Sequence, residues 1–312
     1  MSGPLPAVVG VADGRRVLIR EVDASDAEPL AALYGRLSGE DRYRRFFCGY
    51  KPPYEFFEQL ARPALGEARV VAEPVDGDPK FVVGEAGYVG LPNGNGELGM
   101  AVDAGWRGGL GSYLLDRLRL VAADRHVPNL EADVLVTNGP MLGVLRARGA
   151  VVIGHDGWDV LRLMIGTRGD PTWSGDSAAP KVLVETAAGR WPGEDDQRLA
   201  GARVITCHGP TPSHRCPALE GRPCPLVDGA DVVVVGDAAS VDRWQPIIDA
   251  NRRLSPGVPV LIDRRQPTQG DAVVDQLLAT LEQSSSKGTN GPDAAASAGA
   301  TMRRDNERKG AS

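Results

Sequence analysis

The stretch Val102–Leu115, VDAGWRGGLGSYLL, decides the reading of the first half of this sequence. An apolar strand ending at Val102 runs into Gly108, Gly109 and Gly111, and a helical pattern follows from Ser112 to about His126. Glycines let a backbone turn sharply and approach a ligand closely. The free amides of the helix N-terminus then point outward at the positive end of the helix dipole. This combination suits phosphate or pyrophosphate, and Arg107 adds a formal charge beside it. Two common nucleotide signatures are missing: the chain has no G-x-x-x-x-G-K-[ST] and no G-x-G-x-x-G at this turn.

Upstream, Val17–Val22, Ala68–Glu73, Phe81–Val89 and Gly96–Val102 read as strands, with a helix after Asp23 and Ser25 carrying Leu30, Leu33 and Leu37 at helical spacing. Downstream, Leu130–Val136, Ala150–Ile153 and Trp158–Ile165 read as strands, and Met141–Arg148 as a helix. Strands both precede and separate the helices, which predicts a mixed α+β unit over residues 1–167.

The turn at Arg107–Gly111 resembles the cofactor-binding motif of the GNAT acyltransferase superfamily. Asn138-Gly-Pro-Met141-Leu, followed by Leu145 and Gly149, is similar to that family's Asn-x-x-Met stretch. Leu37–Phe47, LSGEDRYRRFF, resembles a segment of bacterial Pat-type protein lysine acetyltransferases. The resemblance spans roughly residues 15–166. It implies an N-acetyltransferase that uses acetyl-CoA as co-substrate and transfers the acetyl group directly to a protein lysine or a small amine. Val102, Arg107, Gly108, Gly109, Gly111, Ser112 and Asn138 are the implied cofactor contacts. A backbone amide near Ala101 or Val102 is the implied oxyanion contact. Glu97 matches the family's general base, and an otherwise apolar strand around it would suit that role. The alternative is a solvent-facing Glu97 at a strand end. The loop is one residue shorter than the family's usual form, which keeps a second reading open: a non-catalytic GNAT-like module that senses a ligand or scaffolds a partner. The family's last-motif tyrosine has no counterpart after Tyr113, leaving water or Ser112 to protonate the thiolate. Phe46 and Phe47 read as core or the wall of an acceptor cleft, and Arg42, Arg44 and Arg45 as a solvated helix face or as contacts to an acceptor segment.

Residues 168–180, RGDPTWSGDSAAP, read as a linker. Beyond it the strands Lys181–Glu185, Ala202–Cys207, Asp231–Val235 and Val258–Ile262 alternate with helices near Glu194–Leu199, Val241–Leu254 and Asp271–Glu282. Short β-branched strands spaced by helices predict a small parallel α/β unit over residues 181–283. It loosely resembles a degenerate receiver or another flavodoxin-like domain. Asp231–Asp237 looks like the strand before a phosphoacceptor, but Glu194, Asp195 and Asp196 lie well past the first strand. A lysine-bearing fifth strand is missing, so a regulatory or partner-binding role is expected rather than phosphotransfer.

Cys207, His208, His214, Cys216 and Cys224 cluster in one Pro-rich connection. Thiolates and imidazoles are zinc ligands, so a metal site is one reading, redox sensing another, and a plain loop with small buried thiols a third. No C-x-x-C pair supports the first.

The 312 residues suit two domains plus tails, with Ser284–Ser312 poor in large apolar residues and expected to be disordered. Charged residues make up 24% and the net charge is −6, which argues against nucleic acid or an anionic membrane as partner. No apolar run approaches the ~20 residues of a membrane helix, and Met1–Arg16 lacks the apolar centre of a signal peptide. A cytoplasmic protein with four reduced cysteines is the expectation.

Overall fold

A computed structural model describes residues 5–11, 14–77, 80–175, 178–187, 191–236, 241–263 and 272–288. In chain order the elements are β1 (Ala7–Gly10), β2 (Arg16–Glu21), α1 (Ala27–Arg36), α2 (Gly39–Phe46), α3 (Tyr54–Leu60), β3 (Ala68–Pro74), β4 (Gly84–Gly90), β5 (Gly96–Val102), α4 (Leu110–Asp124), β6 (Asn129–Leu135), α5 (Gly139–Arg146), β7 (Val151–Asp156) and β8 (Val160–Gly166). The second half adds β9 (Lys181–Glu185), β10 (Arg203–Cys207), α6 (Pro225–Asp228), β11 (Val232–Val235), α7 (Val241–Leu254), β12 (Val260–Ile262) and α8 (Ala272–Gly288).

These strands form one mixed sheet in the order β1-β2-β3-β4-β5-β6-β8-β7-β10-β9-β11-β12. The fold class is mixed α/β, as the sequence predicts. β1 to β5 are an antiparallel meander, β5 and β6 run parallel, and β6, β8 and β7 are antiparallel again. The strands β10, β9, β11 and β12 are mutually parallel. Their apolar runs follow from this arrangement, because a parallel sheet is covered on both faces. Val182 and Val184 of β9 pack with Val273, Val274 and Leu277 of α8. Leu183, between them, packs with Leu226 and Val227 of α6.

In the first half, alternate residues divide in the same way. Val70 and Ala72 of β3 join Leu110, Leu114, Leu118, Leu142 and Leu145 of α4 and α5. Val71 joins Leu30, Leu33 and Phe57 of α1 and α3 on the other face. The helical spacing of Leu30 and Leu33 thus marks a buried stripe, as its period implies.

Several expectations change. The helix expected at Glu194–Leu199 is two short 3-10 turns, Pro192–Asp195 and Gln197–Leu199, interrupted at Asp196, whose carboxylate accepts from Arg198 N. An Asp side chain competing for nearby backbone amides ends helices early. α8 runs on to Gly288, past the tail start expected at Ser284; residues 289–312, and Asp237, lie outside the described residues. α3 and β1 are additional elements, and α2 is the separate helix that carries Arg42, Arg44 and Arg45.

The segment read as a linker is tied down. Trp173 Nε1 donates to Leu226 O at 2.7 Å, Thr172 N donates to Asn129 Oδ1 at 2.9 Å, and Ser174 is buried. β10 pairs antiparallel with β7 through Thr206 and Val152, so the sheet continues across the boundary. Val151 and Met164 share one core with Ile205, Leu226 and Val233.

Candidate active-site cleft

β5 and β6 are paired at only two positions, Gly96 with Leu130 and Glu97 with Glu131. Below that point a polar clasp holds them. Asn95 Nδ2 donates to Glu131 Oε1 at 2.6 Å and to Ser174 Oγ at 2.9 Å, and Asn129 Nδ2 donates to Asn95 Oδ1 at 3.0 Å. Above it the strands part. The edge of β5 from Leu98 to Val102 therefore has no strand partner on its β6 side. A cleft of about 430 Å³ opens there, lined by β5, β6, the glycine turn and the start of α5.

The turn is built as the sequence requires. Gly108 has φ +99 and Gly109 φ +130, a region that side-chain-bearing residues avoid. Gly109 is the N-cap of α4, so no side chain takes the first-turn amides. Gly111 differs: a Cβ there would meet only ordinary contacts, 3.6 Å from Met100 Cε. Asn138 caps α5, its Oδ1 accepting from Met141 N at 3.3 Å. Arg148 braces the two helices by pairing with Asp116 at 2.6 Å and donating to Ser112 O at 2.9 Å.

All of Val102, Arg107, Gly108, Gly109, Gly111, Ser112 and Asn138 line this single cleft. Glu97 does not. It sits at the last position of β5 paired with β6, exposed, on the opposite face from Leu98. The apolar surroundings expected of it are absent, because alternation turns it away from α4.

Arg107 is already engaged. Its Nη2 lies 2.6 Å from Asp41 Oδ1 on α2. Burial opposes the charge on Asp41, but hydrogen bonds from Ser38 and Arg107 outweigh it and hold the carboxyl below its usual range. Arg44 and Arg45 also line the cleft, so of the two readings of these arginines the solvated face does not hold for this pair. Arg45 crosses beneath Gly99, where a Cβ would collide with its guanidinium. A buried set supports it: Tyr34 donates to Glu85 Oε1 at 2.7 Å, and Arg69 pairs with Glu85. Burial, with the charge of Glu85, pushes the Tyr34 hydroxyl well above the normal phenol range. Phe46 packs edge-on to Phe56 and Tyr50, as a core aromatic, whereas Phe47 ends α2 in a left-handed conformation at φ 56. Spacing did not single out Asp41, since an acid beside helix-surface arginines ordinarily marks solvent.

The cysteine–histidine connection does not form a metal site. Among the described residues no three His, Cys, Asp or Glu side chains are arranged to hold an ion. His208 Nδ1 is within 3.0 Å of Thr186 O, and His214 Nε2 is 3.0 Å from Asp170. Burial pushes the Cys224 thiol up to about 11 and Cys207 higher still, so both are neutral. No helix among the described residues is long and apolar enough to cross a membrane.

About half of the chain is similar in structure to GNAT acetyltransferases. The GNAT domain of S. lividans PAT has 23% identity over 51% of this chain and 96% of that one, with a TM-score of 0.47. A GNAT-family acetyltransferase from Streptococcus pneumoniae has 20% identity over 48% and 98%, with a TM-score of 0.41. The cAMP-binding acyltransferase from Mycobacterium smegmatis has 22% identity over 52% and 47%, with a TM-score of 0.37, so the match spans about half of that protein. No protein-family model and no curated protein matches the sequence.

Proposed function

We propose that the first half is an acetyl-CoA-dependent N-acetyltransferase acting on a protein lysine or a small amine. The observation behind this reading is the coincidence of two features on one cleft: a strand edge without a partner, and uncapped amides at the start of α4. The pyrophosphate would lie on the amides of residues 108–111, favoured by the helix dipole. The pantetheine amides would pair with the free edge of β5, extending the sheet as an added strand does. An amide near Ala101 or Val102 would then hold the thioester oxygen.

In the reaction the amine nitrogen attacks the thioester carbon, the C–S bond breaks, and a thiolate leaves. The amine's proton passes to Glu97, through water where direct reach is lacking, and the thiolate takes a proton from water or Ser112. Glu97 is solvent-exposed where the strands part and does not line the cleft, so the proton would reach it through water. Glu97→Gln is expected to lower kcat by roughly a hundredfold while acetyl-CoA affinity stays unchanged. Undiminished turnover in that variant would remove Glu97 from the mechanism.

The Asp41–Arg107 pair favours a second reading, a module that binds without catalysing, because it occupies the cation expected for phosphate. Calorimetric titration with acetyl-CoA, followed by an acceptor screen, separates the two. Micromolar binding with turnover of an amine supports the enzyme. Binding without turnover of any amine supports the second reading, and no binding at all ends the first.

A further inference from the structure

The connection after β10 roofs a second cavity, of about 90 Å³, against the other face of the sheet from α8. It crosses the seam between the halves. Gly149 and Val151 border it from one side, and Glu185, Cys207, Trp244 and Asn251 from the other. Two close approaches shut the roof. A Cβ on Gly209, at φ +77, would lie 2.9 Å from the Trp244 ring, and one on Gly149, at φ +74, would collide with the His214 ring.

Most of the wall is apolar or neutral. Leu183, Leu226 and Ile247 contribute hydrocarbon, and burial keeps the surrounding thiols protonated. Burial likewise lowers His208 toward its neutral form. Against this wall stand two polar atoms without partners. Glu185 is 4% exposed; its Oε1 accepts from Asn251 Nδ2 at 3.0 Å, while Oε2 is buried with no hydrogen-bond partner among the described residues. Trp244 is 2% exposed, and its Nε1 is buried and equally unpartnered. Native interiors rarely leave such groups unsatisfied, so each calls for an explanation. Glu185 Oε2 is an acceptor when its carboxyl is ionised, above about pH 7, and Trp244 Nε1 is a donor; both residues border the same cavity.

We propose that this cavity binds a small neutral organic molecule that carries a hydrogen-bond donor beside an acceptor, as a primary carboxamide does. Its N–H groups satisfy Glu185 Oε2, its oxygen accepts from Trp244 Nε1, and its short apolar part rests on Leu183 and Ile247. Arg146 also lines the cavity and opposes a cation, while the carboxylate of Asp170 there is already engaged by His214. The volume is below the ~150 Å³ that admits a benzene ring, so the ligand has few heavy atoms. The site is separate from the cleft and stands whether or not the protein transfers acetyl groups.

The test uses the full-length protein at pH 8 with propionamide as probe and butanone, which has the same size and a methyl in place of the amide nitrogen, as control. Ligand-observed NMR and thermal denaturation follow binding. Saturable binding of propionamide, a rise in Tm, and roughly tenfold weaker binding of the control are expected, the loss of about one hydrogen bond. Trp244→Phe, which keeps a ring in place, and Glu185→Leu should each weaken propionamide by a similar factor. No saturation up to the probe's solubility would mean that water alone fills the cavity. That result, equal binding of the control, or full affinity in both variants would overturn the proposal.

Discussion

Single side chains set the chemistry of both cavities. Asp41 holds Arg107 at 2.6 Å beside the turn expected to receive phosphate. Removing its charge frees the guanidinium and deletes a like charge near the anion. Asp41→Asn is therefore expected to tighten acetyl-CoA binding roughly threefold to tenfold, with the gain shrinking at high salt; titration at two ionic strengths reads both. Glu185 gives a pH signature of its own. Burial pushes its carboxyl up to about 7, against a smaller opposing effect from the Asn251 hydrogen bond. A folded-state value above the unfolded one means that folding favours the protonated acid. The contribution is full below the ordinary glutamate range and is lost as pH rises through about 7. Between pH 5 and pH 8 the wild type should lose stability relative to Glu185→Gln by an amount on the order of 3 kcal/mol, read from denaturant curves at each pH. A constant gap between the two proteins would show that Glu185 is not buried as described.

At the scale of elements, the glycine turn and α4 work as a unit. Gly109 combines φ +130 with the N-cap position, so a β-branched residue there brings strain as well as a side chain over the free amides. Gly109→Val is expected to cost about 1–3 kcal/mol of stability and to weaken acetyl-CoA binding at least tenfold. Gly111, whose Cβ position is open, should accept alanine with little change in stability. Most elements were legible in the sequence, because β4, β5, α4 and α7 carry strong periodicity and clear breakers. Glu194–Leu199 misled for a local reason: Glu194, Gln197, Arg198 and Leu199 are good helix formers, yet the Asp196 carboxylate takes the amide of Arg198. The bounds of α2 were hidden because its residues are mostly charged, and its caps, Ser38 before it and left-handed Phe47 after it, do the defining.

For the whole molecule, the seam matters most. Val151 and Met164 are buried by Leu226 and Val233, and the β7 edge is covered by β10. Residues 1–167 expressed alone would expose that apolar surface and an unpaired strand edge. Such a fragment is expected to aggregate or melt well below the full chain, whereas Leu226→Ala in the full protein should cost about 2–5 kcal/mol. A fragment as stable and monomeric as the parent would show that the halves are energetically independent.

The sequence by itself determined the local facts: where strands and helices lie, that glycine must occupy the turn at 108–109, and that the second half is a parallel sheet. These follow from backbone sterics and from the period of apolar residues, which act over a few positions. Tertiary structure alone decided which residues meet. It parted β5 from β6, turned Glu97 outward, joined Arg107 to Asp41 across some sixty positions of chain, set the five cysteines and histidines around one cavity without an arrangement that holds an ion, and enclosed Glu185 with Trp244. Contacts of that kind depend on sheet order and strand register, and no short stretch of sequence carries either.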